Sequence, residues 1–250
     1  MSKFTKHLFT IFKHKLYVFK YCKKADIVWR GLVHDLSKFH PVEFLESVKY
    51  ADGKISPIVK CKEKNGVSYA WLHHKGANPH HYEYWQDNFD VGGQPIKMPF
   101  KYALEQVCDY LGAGQAYLGK EFSYKREYDW WLAKKARPLA MHPQTILFTD
   151  LLLSQIYQEN SLDVLKQERS SEIYIIANKL YEEFGEGICN MNSDTSICDH
   201  DWHRPLEDSP YCDQVCASLP PKYQWTCSKC GKVIYRECSL GKPKSSEYND

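Results

Sequence analysis

Histidine and aspartate are set along this chain in an order that few interiors tolerate without a reason. His14 comes first, then His34-Asp35, His73-His74, His80-His81 and a lone downstream acid, Asp109. A buried imidazole or carboxylate must find a partner, because leaving it unpaired is costly. Nitrogen and carboxylate donors gathered from several helices suit a Zn, Fe or Mn centre, mononuclear or dinuclear. The bland alternative, scattered surface or capping histidines, fits one isolated His better than a run of residues in this order.

The rest of the chain sets the frame. Its 250 residues, 43% apolar and 26% charged, are enough for one large domain or a medium domain with an appendage. A net charge of +2 gives no global attraction to nucleic acid. No stretch approaches the ~18 uninterrupted apolar residues of a membrane span, and membrane is left out of the expected partners. The N-terminal stretch SKFTKHLFTIFKHKLYVFKYCKK is basic and amphipathic. It lacks a small-residue cleavage site and reads as the first core helix. Cys22, Cys61 and Cys108 read as buried thiols, while the other seven of ten cysteines crowd into the last quarter. That distribution favours a reducing, cytoplasmic setting with metal-bound cysteines near the C-terminus.

Periodicity predicts helices at 4–23, 28–38 and 41–50, with Phe4, Leu8, Phe12, Leu16 and Phe19 as the apolar stripe of the first. His14, Tyr17, Val18 and Tyr21 form its second, partly polar stripe. Residues 52–66 read as a connection. A short helix then carries Tyr69 to His74, and the turn 76–79 presents His80 and His81. A polar loop covers 86–97, and Pro99 opens a helix whose inward face holds Ala103, Val107 and Tyr110. Further helices are expected at about 121–136, 143–158 and 161–184, and 186–197 as a linker.

His34 and Asp35, adjacent on one helix, project about 100° apart and reach one ion only at the helix edge. With His14 and Asp109 they form the first expected ligand set, and His74, His80 and His81 complete a second. Two ions together lower the pKa of a water and clamp attacking and leaving oxygens. Lys38, one turn after Asp35, holds a substrate phosphate, pairs with a ligating aspartate or is simply solvated. Asn78 and His73 are expected to orient ligands through the other ring nitrogen. Glu105 is placed with Lys38 and Asp35 among the catalytic candidates, as a group that orients a ligand or as an ordinary helix carboxylate. The aromatics Trp85, Trp130, Trp131, Tyr124 and Tyr128 read as core filling or a base-stacking patch. Lys134, Lys135 and Arg137 read as an amphipathic helix end or a wall for a phosphate-bearing ligand.

The order H…HD…H…HH…D resembles the HD-domain superfamily of all-helical, metal-dependent phosphohydrolases. HDLSKFHP is similar to the HD-x-x-K segment of its HD-GYP branch, although NPHHYEYW lacks the GYP signature, which argues against a cyclic dinucleotide. Over residues 10–150 the chain looks closer to an uncharacterised bacterial and phage family reading H…HDxSKF…EF…HHxxNxHHxxYW…MPxxxxxExxxDxxGAG. The matching positions run from His14 through His34, Asp35, Lys38, Glu43, His73, His74, Asn78, His80, His81, Glu105 and Asp109 to Gly112-Ala113-Gly114. The resemblance implies an HD-like helical bundle and a metal site, with no substrate attached.

Near the C-terminus, Cys198-x-His200 precedes Cys227-x2-Cys230-Gly231, the pairing of a tetrahedral structural zinc site. The segment resembles a zinc ribbon on a small hairpin, with His203, Cys212, Cys216 or Cys238 as substitutes for a ligand. Zinc there supplies folding energy to a segment too small for its own core. Lys222, Tyr223, Trp225, Lys229, Lys232, Tyr235 and Arg236 offer stacking and charge to a nucleic-acid strand, or merely cover the helical domain.

The expectation is an all-α, HD-like domain over 1–188, a zinc-ribbon module over 189–242 and a tail over 243–250. Its activity is expected to be hydrolysis of a small phosphorylated substrate, a nucleotide first, by a metal-activated water with Lys38 neutralising phosphoryl charge. The alternatives are a diiron oxygenase on the same ligands and a non-catalytic phage or defence protein that binds nucleotide or nucleic acid. A homo-oligomer is also compatible with the sequence.

Overall fold

The computed structural model describes residues 2–52 and 55–184, with strand segments at 202–203, 222–227 and 233–237. The chain divides into two compact units, Met1–Lys179 and Leu180–Asp250. The first is all-helical among its described residues, with one isolated β-bridge between Gln86 and Pro95.

Its helices are α1 (Lys3–Lys24), α2 (Val28–Val33), α3 (Pro41–Tyr50), α4 (Pro57–Asn65), α5 (Tyr69–Ala77), α6 (Phe100–Leu118), α7 (Tyr124–Lys135), α8 (Pro143–Glu159) and α9, which begins at Gln167 and ends at Phe184. Their starts are written in the sequence. The Ser2, Ser68 and Ser123 hydroxyls accept the backbone N–H groups of Thr5, Trp71 and Arg126. His40 and His142 cap α3 and α8 through a ring nitrogen, each followed by a proline whose missing N–H costs nothing at the first helical position.

α6 is the central helix. Leu104, Val107, Cys108 and Leu111 are fully buried against Val18 and Cys22 of α1 and Phe148, Leu152 and Ile156 of α8. Each large apolar side chain so buried contributes about 1.5–3 kcal/mol. α1 and α6 approach unusually closely at Gly112, where an added Cβ would stand 2.4 Å from Val18 Cγ2. That approach sets His14 of α1 against Asp109 of α6.

Three expectations are corrected. Residues 57–65 form α4, because Pro57 starts it and Gly66, with φ +74°, ends it in the left-handed region. The buried face of α1 is the partly polar stripe His7, Ile11, His14, Val18, Tyr21 and Cys22, while Phe4, Phe12 and Leu16 stay exposed. The predicted helix 28–38 breaks at His34: α2 stops at Val33, Asp35 takes a left-handed conformation (φ 56°), and a 3-10 turn follows over Leu36–Phe39.

In the second unit, β1 (Trp202–His203), β2 (Lys222–Cys227) and β3 (Val233–Glu237) pair antiparallel in the order β1-β2-β3, with Trp225 opposite Ile234. Cys227 closes β2. The expected zinc ligands Cys198, His200 and Cys230 lie outside the described residues, as does the expected linker.

Candidate metal centre

The break after α2 is what gathers the site. A left-handed backbone is strained for most residues, and aspartate is among the few that adopt it. His34 ends α2, and Lys15 pins it there by donating to the carbonyls of Leu32 and His34, each at 2.7 Å. Both neighbours then face one interior point, which an unbroken helix would allow only at its edge.

Four donors converge there. His14 Nε2 lies 3.2 Å from Asp35 Oδ2 and 3.1 Å from Asp109 Oδ1. His34 Nε2 lies 3.3 Å from each of those oxygens and 3.4 Å from His14 Nε2. Donors held about 2.0–2.1 Å from a first-row ion stand roughly 3–3.4 Å from one another. The spacing therefore fits a shared cation.

The other oxygen of Asp35 serves a second group. Oδ1 is 3.4 Å from His74 Nε2 and 3.3 Å from His80 Nε2, and His81 completes the set. Oδ1, His80 Nε2 and His81 Nε2 are buried, yet none makes a hydrogen bond. Lone pairs that close and that poorly aligned for hydrogen bonding want a positive charge between them. These buried His/Asp groups can hold metal ions.

Behind the histidines sit carboxylates. Glu105, fully buried, accepts from His34 Nδ1 at 3.1 Å, lies 3.4 Å from His80 Nδ1, and takes Arg30 Nε on its other oxygen at 2.6 Å. Burial pushes Glu105 up, but His34, His80 and Arg30 outweigh it and hold it at about 2. Glu105 with His34 and His80 also has ligand-like spacing. The contacts use the Nδ1 edges, however, and Arg30 occupies the carboxylate. Of the roles expected for Glu105, this geometry suits orienting His34, with Nδ1 held on the carboxylate and Nε2 toward the cluster.

Glu43 does the same on the other side. Its two oxygens accept from His74 Nδ1 at 2.8 Å and His73 Nδ1 at 2.6 Å. His73 stacks on His40 with centroids 4.2 Å apart and points away from the cluster. Asn78 donates to Ser37 Oγ and to the carbonyl of His74, both at 2.7 Å, locking the end of α5 to the 3-10 turn. Trp85 Nε1 donates to the Pro79 carbonyl and holds the turn that presents His80. Arg30 and Glu43 received no role from the sequence. Glu43 carried a signal, since it stands in the family pattern beside HDxSKF, whereas Arg30 carried none.

Charge follows geometry. Burial disfavours a charged His34, but Asp35, Asp109 and Glu105 raise it well above the usual histidine range. Burial likewise opposes the ionised forms of Asp35 and Asp109, but neighbouring imidazoles, joined by Lys38 at Asp35, pull both well below the usual carboxylate range. His81 is driven the other way, by burial and by His80 and His74, toward the neutral, metal-binding form. Lys38 Nζ stands 2.6 Å from Asp35 Oδ2 at the rim.

The flanking helix α7 adds further groups. Lys134 Nζ lies 3.1 Å from the Tyr110 hydroxyl and within 5.2 Å of the ring centroids of Tyr82, Tyr110 and Trp130. Lys135 instead pairs with Asp150. Trp131 is core, its Nε1 donating to Asp150, and Tyr128 stacks on Tyr157.

A family model described as a family of unknown function, DUF5662, matches residues 3–153. The chain belongs to that family. The matched stretch runs from α1 into α8 and holds every residue of both donor groups described above. No curated protein and no solved structure matches the chain.

Proposed function

We propose that the protein is a metal-dependent phosphohydrolase of the HD-domain type, acting on a nucleotide or another small phosphoester. One observation carries the reading: the Asp35 carboxylate divides its oxygens between two donor groups, Oδ2 toward His14 and His34 and Oδ1 toward His74 and His80. A carboxylate shared in this way suits a bridging ligand of a dinuclear centre. His14, His34, Asp35 and Asp109 would hold one ion, and Asp35, His74, His80 and His81 the other. The His/carboxylate set suits Zn, Fe or Mn.

Ions bound there supply Lewis-acid activation of water and neutralise phosphoryl charge. The protein's own residues do the rest. Glu105 holds His34 and Glu43 holds His74 with Nε2 inward, so no reorganisation of these rings is needed when charge develops. Lys38, already beside Asp35, places an ammonium at the edge of the cluster for the phosphoryl oxygens. Lys134 with its three rings gives a second cation and an aromatic wall, which favours a nucleotide as the first substrate class to try.

The test is release of phosphate or nucleoside from a panel of nucleotides and phosphodiesters, under air and under anaerobic conditions. The reading expects oxygen-independent hydrolysis, lost in Asp35→Ala. Lys38→Ala should lower kcat by about 10²–10³-fold while the metal content stays unchanged. Turnover that needs oxygen and consumes it would replace this reading with the diiron oxygenase.

A further inference from the structure

The helical unit turns an apolar face outward. Leu16 is 69% exposed, Trp29 70% and Phe9 63%, and Phe12, Leu32, Leu36 and Phe39 are exposed beside them. Singly such residues need no explanation, but a contiguous set does. These are contiguous. The Phe12 ring lies 6.1 Å from that of Phe39. Lys15, next to Leu16, reaches the Leu32 carbonyl at 2.7 Å. A Cβ on Gly31 would stand 3.2 Å from the Phe19 ring, so α2 lies directly along α1. One strip thus crosses α1, α2 and the 3-10 turn after Asp35.

The charge carried by α1 has one sign. α1 carries Lys3, Lys6, Lys13, Lys15, Lys20, Lys23 and Lys24 and not one Asp or Glu. Lys20 and Lys23 are exposed and follow Leu16 by one and two turns, on the outward side of the helix. The acids of residues 3–39 are Asp26, in the corner between α1 and α2, and the buried Asp35. A second copy docked through the same face would set these lysines against lysines, with the exposed Asp26 at the α1–α2 corner as the one carboxylate of residues 3–39 outside the interior to answer them. An anionic lipid surface answers both features, apolar side chains entering the headgroup boundary and ammonium groups meeting lipid phosphates and carboxylates.

We propose that the α1–α2 face seats the protein on anionic phospholipid membranes as a peripheral, non-spanning contact. No helix among the described residues is long and apolar enough to cross a membrane, and none is needed for this mode. The sequence-based exclusion of membrane as a partner rested on the lack of a span. It also rested on reading α1 as the first core helix rather than a surface-binding one, whereas its apolar stripe is largely exposed.

The experiment is flotation of the full-length protein with vesicles of phosphatidylcholine alone or of phosphatidylcholine with phosphatidylserine. Binding is expected only with phosphatidylserine and should fall steeply as salt is raised. Trp29→Ser with Leu16→Ser, and separately Lys20→Glu with Lys23→Glu, should each weaken it about tenfold or more. All four positions are exposed, so helicity and metal content should not change; both are measured on the same samples. Absence of flotation, or equal flotation on both vesicle types, overturns the proposal. So does a dimer in sedimentation that the Trp29→Ser, Leu16→Ser variant dissociates, which would give the face to a second copy. An acidic protein partner that binds through these lysines, with lipid ignored, would overturn it as well.

Discussion

Glu105 shows how much of this site depends on a residue that faces away from its centre. Its carboxylate holds His34 and sits behind His80, one histidine from each donor group, and is itself held by Arg30. Glu105→Gln should keep the fold and lower metal affinity about 10–100-fold, read by competition with a chromophoric chelator; unchanged affinity would remove its orienting role. Glu127 of α7 makes a different prediction. It is buried against Gly114, where an added Cβ would clash with its Oε2. Burial first, and then the Asp109 charge, push its carboxyl up to about 8 from an ordinary 4.5. The unfolded chain therefore releases this proton near 4.5 while the folded protein keeps it until about 8, so Glu127 costs stability increasingly as pH rises through that window. The limiting cost is a few kcal/mol. Glu127→Gln should raise Tm little at the acidic end and most at the alkaline end. Parallel Tm curves for the two proteins would contradict this.

At the scale of elements, the ligand order was legible before the fold because its members are chemically conspicuous and come in pairs. Helices opened by Pro41 and Pro143 and the inward face of α6 were legible for the same reason: their caps and periodicity are local. What was not legible depended on tertiary placement. The apolar stripe of α1 reads as a core stripe, yet the helix buries its His-bearing face, because the cluster and α6 lie on that side. The α2 break at His34-Asp35 had no glycine or proline to announce it; the tertiary pull on the Asp35 carboxylate sets its backbone. Gly112 is the element-scale test of this packing. Gly112→Ala would drive a methyl into Val18 and force α1 and α6 apart, costing about 1–3 kcal/mol in denaturant unfolding. Because the same helices carry His14 and Asp109, that variant should also bind the first ion more weakly. Normal stability with normal metal content would show that the close approach is not needed.

On the scale of the whole molecule, the helical unit gathers most of its buried imidazoles and carboxylates into one interior cluster. That cluster sets buried carboxylates and imidazoles at the spacing of metal donors. Filling it should raise Tm with ion concentration, as expected for a ligand that binds the folded state alone. The central claim is that one carboxylate serves two ions, and elemental analysis of the purified full-length protein beside Asp35→Ala and Asp109→Ala tests it most directly. The account predicts that Asp35→Ala loses twice as many transition-metal ions per chain as Asp109→Ala, since Asp109 belongs to one donor group and Asp35 to both. Equal losses in the two variants, or none in either, would contradict it.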